Sequence, residues 1–158
     1  DTVWVAEEII RLKELEKPDA IVIDADGLGS GVVDHIKFRG HTERLFEFHG
    51  GAPANDANAY FNRRTEVWGS LRDWLVAGAE IPDLPEVETD LCGLEYGFSN
   101  KGQIQLEKKE DFIKRTGLDS PDIGDCMAYS FAVNVLAKPK DEPPEMYYPG
   151  ERGNSWMS

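Results

Sequence analysis

Long apolar runs are missing from this 158-residue chain. No stretch approaches the roughly 20 apolar residues that a membrane-spanning helix needs, and no basic-then-apolar leader opens the sequence. Cysteine is scarce. Cys92 and Cys126 show no CxxC or Cys/His spacing, which excludes a disulfide framework and a structural zinc and predicts reduced thiols in the core, in keeping with a cytosolic compartment. No glycine-rich loop ends in Gly-Lys-Ser or Gly-Lys-Thr, so the chain by itself is not a P-loop ATPase. No Ser/His/Asp or Cys/His arrangement stands out either. His35, His41 and His49 are isolated surface or loop residues, with a minor site role open to His49 beside Gly50-Gly51. Positive charge is also in short supply, with 17 Lys and Arg against 30 Asp and Glu and a net charge of −13. That argues against non-specific capture of nucleic acid. A nuclease survives the argument, because bound metal ions invert the electrostatics of an acidic cleft, and an acidic interaction module survives equally. The chain lacks an initiator Met and opens directly on a helical pattern, which reads as a piece of something longer.

What is present fits one domain with a core: 41% hydrophobic residues, four Trp and seven Phe. Residues 3–16 place Val5, Ile9 and Leu12, and again Ala6 and Ile10, at helical spacing, with Asp1 or Thr2 as N-cap and Lys17-Pro18-Asp19 as the stop. Ala20 to Ile23 is a continuous apolar run suited to a strand covered on both faces, as in a largely parallel sheet. A helix over Ser30 to Phe38 follows a glycine turn, and Arg44 to Phe48 alternates as a second strand. Tyr60 to Ala77 forms a long helix with Phe61, Val67, Trp68, Leu71, Trp74 and Leu75 on its apolar face. A short helix over Glu86 to Gly93, a hairpin over Tyr96 to Leu106 turning at Asn100-Lys101-Gly102, and a charged helix over Lys108 to Arg115 come next. Ser120 as N-cap and Pro121 at the first helical position open the last helix, which runs to about Leu136. Residues 138–158, rich in proline and without period, read as a flexible or docking tail. This order predicts an α/β or α+β layered sheet.

Two places carry the chemistry. Asp24 ends the first strand, where carboxyl ends of parallel strands form a crevice, and Gly27, Gly29 and Gly31 leave room for a ligand near the backbone. Asp24 or Asp26 could equally cap the next helix. Asp122 and Asp125 share a helix face. The helix dipole alone explains Asp122. Asp125 lies among Ile123, Cys126 and Met127, where a charge is costly unless paired or metal-bound. Asp24 and Asp125 are therefore the candidate metal ligands, Asp122 an accessory, and oxygen-only ligation selects Mg²⁺ or Mn²⁺ over Zn²⁺. Two carboxylates are few for a two-metal hydrolase; Glu47 is a weak third. Arg63, Arg64, Lys101, Lys108 and Lys109 cluster near these segments as candidate DNA contacts, although solvated helix faces account for each of them singly. Gly27 and Gly29 superficially match a dinucleotide fingerprint, but the spacing puts Val32 where its third glycine belongs.

Taken in order, these segments resemble the C-terminal nuclease domain of bacteriophage terminase large subunits. The resemblance rests on the Asp1-Thr2 helix opening, Ile21 to Gly31, Asn62-Arg63-Arg64 to Trp68 with Arg72-Asp73-Trp74-Leu75, Tyr96-Gly97-Phe98 through Ile104-Gln105-Leu106-Glu107, and Ser120-Pro121-Asp122 to Phe131, and spans about residues 1–137. It implies a ribonuclease H-like mixed sheet flanked by helices, truncated at the N-terminus, with the hairpin before the last helices. It also implies a two-ion Mg²⁺ or Mn²⁺ endonuclease that cuts concatemeric double-stranded viral DNA during packaging in the bacterial cytoplasm. The implied partners are the portal protein, the small terminase subunit and an ATPase domain upstream in the same polypeptide. Of the family's three catalytic carboxylates, the second falls on Asp24 and the third on Asp125 with Asp122 beside it, while the first precedes Asp1. An edge opened by absent strands invites a homodimer or strand exchange. The competing readings are a non-catalytic docking module that binds the portal through its acidic surface and tail, and an unrelated nucleotide-binding domain resting on the glycine turn.

Overall fold

Three of the helices begin where a side chain satisfies orphan amides. The computed structural model describes residues 1–135; the tail at 138–158 and the expected helix end at Leu136 lie outside the described residues. Helix α1 (Thr2–Glu16) is capped by Asp1, whose carboxylate accepts the Val3 N–H at 2.9 Å, and closes on Lys17 in the left-handed conformation. Strand β1 (Ile21–Asp24), helix α2 (Gly29–Phe38) and strand β2 (Leu45–Phe48) follow as a βαβ unit with the strands parallel. Ile23 lies opposite Glu47, and Asp24 opposite Phe48. Because strand side chains alternate, the pair has two different faces. Ile23 and Leu45 pack on Ala6 and Ile10 of α1 and Val32 and Ile36 of α2. Val22 and Phe48 pack with Val67, Trp68 and Leu71 of α3 (Arg63–Val76) and Ala128 and Tyr129 of α6 (Asp122–Tyr129). Helices thus cover both faces.

Several boundaries differ from expectation, each for a local reason. Helix α3 starts after Asn62, whose side chain accepts the Thr65 N–H at 2.9 Å and the Thr65 hydroxyl at 2.7 Å. Tyr60 is left outside it and bridges to Ile104. Val67, Trp68 and Leu71 are buried as expected, but Phe61 precedes the helix and Trp74 lies at the rim, its ring centroid 5.8 Å from that of Phe131. After α4 (Pro85–Gly93), strands β3 (Tyr96–Phe98) and β4 (Ile104–Leu106) form the antiparallel hairpin. Among the described residues the parallel and antiparallel pairings occupy two separate two-stranded sheets rather than one mixed sheet. Helix α5 (Lys109–Thr116) is anchored by fully buried Phe112 and closed by Gly117 at φ 71°.

Helix α6 is capped from a distance. Ser120 does not serve; Pro121 takes the N-cap place, and the Ile123 and Gly124 amides donate to Asp90 Oδ2 of α4 at 2.9 and 3.1 Å. The helix ends at Tyr129, where the Ser130 hydroxyl bonds the Met127 carbonyl at 2.6 Å and β-branched Val133 and Val135 disfavour continuation. Cys92 and Cys126 are free, as expected, but exposed rather than in the core. No helix among the described residues is long and apolar enough to cross a membrane.

Candidate active site

Strand β1 delivers Asp24 to the end of the sheet, and the chain then turns through Gly27 at φ 70°. At Gly29 a Cβ would overlap the Asp24 carbonyl oxygen. That glycine therefore serves the strand-to-helix corner and does not open space for a ligand. Neither Asp24 nor Asp26 caps α2, whose N-cap is Leu28 without a side-chain bond. Asp24 instead receives the Asp26 N–H on Oδ1 and the Tyr129 hydroxyl on Oδ2, both at 3.0 Å. Asp26 turns to His49, with Oδ1 2.9 Å from Nδ1. The His49 hydrogen bond, helped by the Gly51 amide, holds the Asp26 carboxyl below its ordinary value against the opposing effect of burial.

Asp125 is 2% exposed. Its Oδ1 accepts Arg64 Nε at 3.0 Å and Trp68 Nε1 at 2.8 Å. Its Oδ2 lies 2.7 Å from Lys109 Nζ, an ion-pair distance, but off hydrogen-bonding angles, so Oδ2 and Arg64 Nη2 are the buried side-chain atoms without a hydrogen bond among the described residues. Arg64 Nη1 donates to the Glu107 carbonyl at 2.9 Å. A buried carboxylate is thus matched by two cations, as its desolvation requires. Asp122 points to solvent, its side chain 76% exposed and 3.8 Å from Lys109. Tyr129 lies one turn beyond Asp125 on α6. Burial pushes its hydroxyl well above the usual range, and both Asp125 and Asp24 push it further, so it stays protonated and donates.

A cleft of about 470 Å³ opens here, lined by Asp24, Asp26, Gly50, Arg64, Lys108 and Lys109 among others. Three of the five expected DNA contacts, Arg64, Lys108 and Lys109, therefore line it. Lys101 sits at the hairpin turn instead, and Arg63 is engaged with Glu66 and with the Ala132 carbonyl at 2.7 Å. Glu47 drops out as a third ligand: alternation puts it on the face away from Asp24, where it pairs with Lys37. Among the described residues no group of three or more His, Cys, Asp or Glu could hold a metal ion. Tyr129 and Trp68 were missed in the sequence, although their spacing offers them: each follows a site residue, Asp125 or Arg64, by four positions on the same helix face.

No family model matches the chain, and no curated protein matches it. Solved structures do. A lysine-to-alanine variant of the nuclease domain of the large terminase subunit gp2 of bacterial virus Sf6, with manganese, matches at TM-score 0.64 and 18% identity over 80% of this chain and 70% of that one. The chain has the ribonuclease H-like fold of a terminase nuclease domain. The unmutated Sf6 domain matches at TM-score 0.63 and 17% identity, over 80% of this chain and 69% of that one. The same variant with calcium matches at 0.62 and 18%, with the same shares covered. At such identity the likeness to the terminase domain is one of fold.

Proposed function

We propose that this chain is the endonuclease part of a viral DNA-packaging motor, hydrolysing double-stranded DNA with Mg²⁺ or Mn²⁺. One observation carries the reading. Asp24 accepts the hydroxyl of Tyr129, which lies one turn beyond Asp125 on the same helix, so two acids far apart in sequence meet beside a cleft lined with lysine and arginine.

The donors suit a hard cation. Asp24 and the Asp125 Oδ2 would hold it, with Asp122 as the outer accessory, and all are carboxylate oxygens. When bound, such an ion polarises the phosphoryl oxygen and lowers the pKa of attacking water. The chain's own residues do the rest. Arg64 and Trp68 fix the Asp125 carboxylate, Tyr129 fixes Asp24, and Lys109, 2.7 Å from Asp125 Oδ2, stands where the ion would sit and would yield that oxygen to it. Lys108 and Lys109 face the cleft and meet the DNA backbone. A two-ion site would need another carboxylate besides these. Portal protein, small terminase subunit, a preceding ATPase domain and the host cytoplasm complete the proposed setting.

Plasmid nicking with Mn²⁺, using the chain joined to its preceding sequence, tests the assignment. Asp24→Asn and Asp125→Asn should each reduce nicking to background while the protein stays folded. Unchanged nicking by both variants rejects the proposed ligands and favours a docking role without catalysis.

A further inference from the structure

Phe61 is held firmly at its backbone and yet shows its side chain. Its N–H donates to the Ile104 carbonyl at 2.9 Å, beside the Tyr60–Ile104 bridge, and the next residue, Asn62, caps α3. The residue is 46% exposed. Extended backbone sends successive side chains to opposite sides. Tyr60 goes toward α3, where its ring fills the space a Cβ on Gly69 would need, in a hollow shared with Ile104 and Trp68. Phe61 therefore goes the other way, onto the wall of the cleft at Asp24. Of the acids lining that cleft, Asp24 serves the ion, and Asp26 and Glu107 are paired with His49 and Arg115. That leaves Glu110 against Lys108 and Lys109, the latter released when the ion takes Asp125 Oδ2.

We propose that Phe61 is a wedge that selects where a strand is cut: its ring presses between two base pairs beside the phosphate held at Asp24 and opens that step. The inference rests on the nuclease reading and adds a preference among sites to it. Phenylalanine is one of the apolar side chains that unstack a duplex in this way. A wedge needs a mount that does not give, which the bridge and the helix cap supply. Pyrimidine–purine steps open most easily, so cleavage concentrates at TA and CA steps without a hydrogen bond to any base. One duplex accounts for Asp24, Lys108 and Phe61 lining the same cleft, which an apolar protein partner does not.

The test maps cut positions on an end-labelled duplex containing every base step, with Mn²⁺ and the chain joined to its preceding sequence. The parent should favour TA and CA steps over GC steps about tenfold. Phe61→Ala should bring that ratio below about twofold, and Phe61→Leu, which keeps an apolar wedge, should retain most of it. A merely structural role would change the rate of cutting and leave its pattern intact. In parallel, Ca²⁺, which carboxylate oxygens also hold, replaces Mn²⁺, and a duplex with one 2-aminopurine at a TA step is titrated. The parent should brighten the 2-aminopurine by unstacking it, and Phe61→Ala should not. An even cutting pattern from the parent, the parent pattern kept in Phe61→Ala, or brightening that is absent in the parent or unchanged in Phe61→Ala overturns the proposal. Nicking that still depends on Asp24 and Asp125 would then leave the nuclease reading standing.

Discussion

The two faces of the β1–β2 pair are built on opposite plans. Behind the sheet, Ala6, Ile10, Val32 and Ile36 make an apolar interior rimmed by ion pairs such as Glu7 with His35 and Arg39, and Lys37 with Glu47. In front, Val67, Leu71 and Phe48 are interleaved with two hydrogen-bonded groups, Asp125 with Arg64 and Trp68, and Tyr129 with Asp24. An apolar layer is held by area and indifferent to small rearrangement. Buried polar groups bonded in this way resist rearrangement, because any departure strands a further desolvated group. The rear face is scaffold, and the front face forgoes some stability to fix side-chain positions.

Removing the central acid should expose that difference most sharply. Asp125→Ala leaves the Arg64 Nε–H and the Trp68 N–H without their acceptor and the buried guanidinium without its counter-charge, and should cost about 3–5 kcal/mol in urea unfolding. A loss below about 1 kcal/mol would mean that the front face is held by area as well. Ile36→Ala, at a rear-face residue 1% exposed, should cost about 3 kcal/mol through the cavity it leaves. Nicking per folded molecule should stay at the parent rate; a fall there would break the division between scaffold and site.

Glu66 sharpens the comparison through pH. Burial raises its carboxyl, but the amides of Asn55 and Asp56 and the Arg63 guanidinium outweigh that and leave it below its ordinary 4.5. Since the folded value lies below the unfolded one, the folded chain binds fewer protons between the two. The contribution is complete above that ordinary value and drains away as acid takes the pH down through the folded one. Glu66→Ala should cost about 1–3 kcal/mol at neutral pH by stranding two loop amides, and the gap to the parent should narrow in urea titrations below pH 4.5. The smallest effect belongs to the rear rim. His35, and then Arg39, hold the half-buried Glu7 carboxyl below its ordinary value. Glu7→Gln should move the melting temperature least of the set, and added salt should erase even that shift.

Much of this layout can be read from the residues. A β-branched run ending on Asp24 before a glycine turn announces a strand end, and a charge at Asp125 among apolar neighbours announces a buried carboxylate with partners. The partners themselves are less legible. Arg63 and Arg64 are adjacent, but successive helical positions diverge by about 100°, so one turns to Glu66 and the other to Asp125, and composition does not say which. The Asp26–His49 pair and the Asp90 cap on α6 join segments that meet only after the layers pack. Helix ends shifted where a side chain such as Ser130 or Asn62 offered the backbone a competing bond.

The corner at Gly29 has a consequence for any attempt to redesign the strand end. A hydrogen atom sets the clearance between sheet and helix there, since the volume a methyl would fill already belongs to the Asp24 carbonyl oxygen. Gly29→Ala would force β1 or α2 to retreat and would carry the carboxylate with it, displacing the acid without altering one of its own atoms.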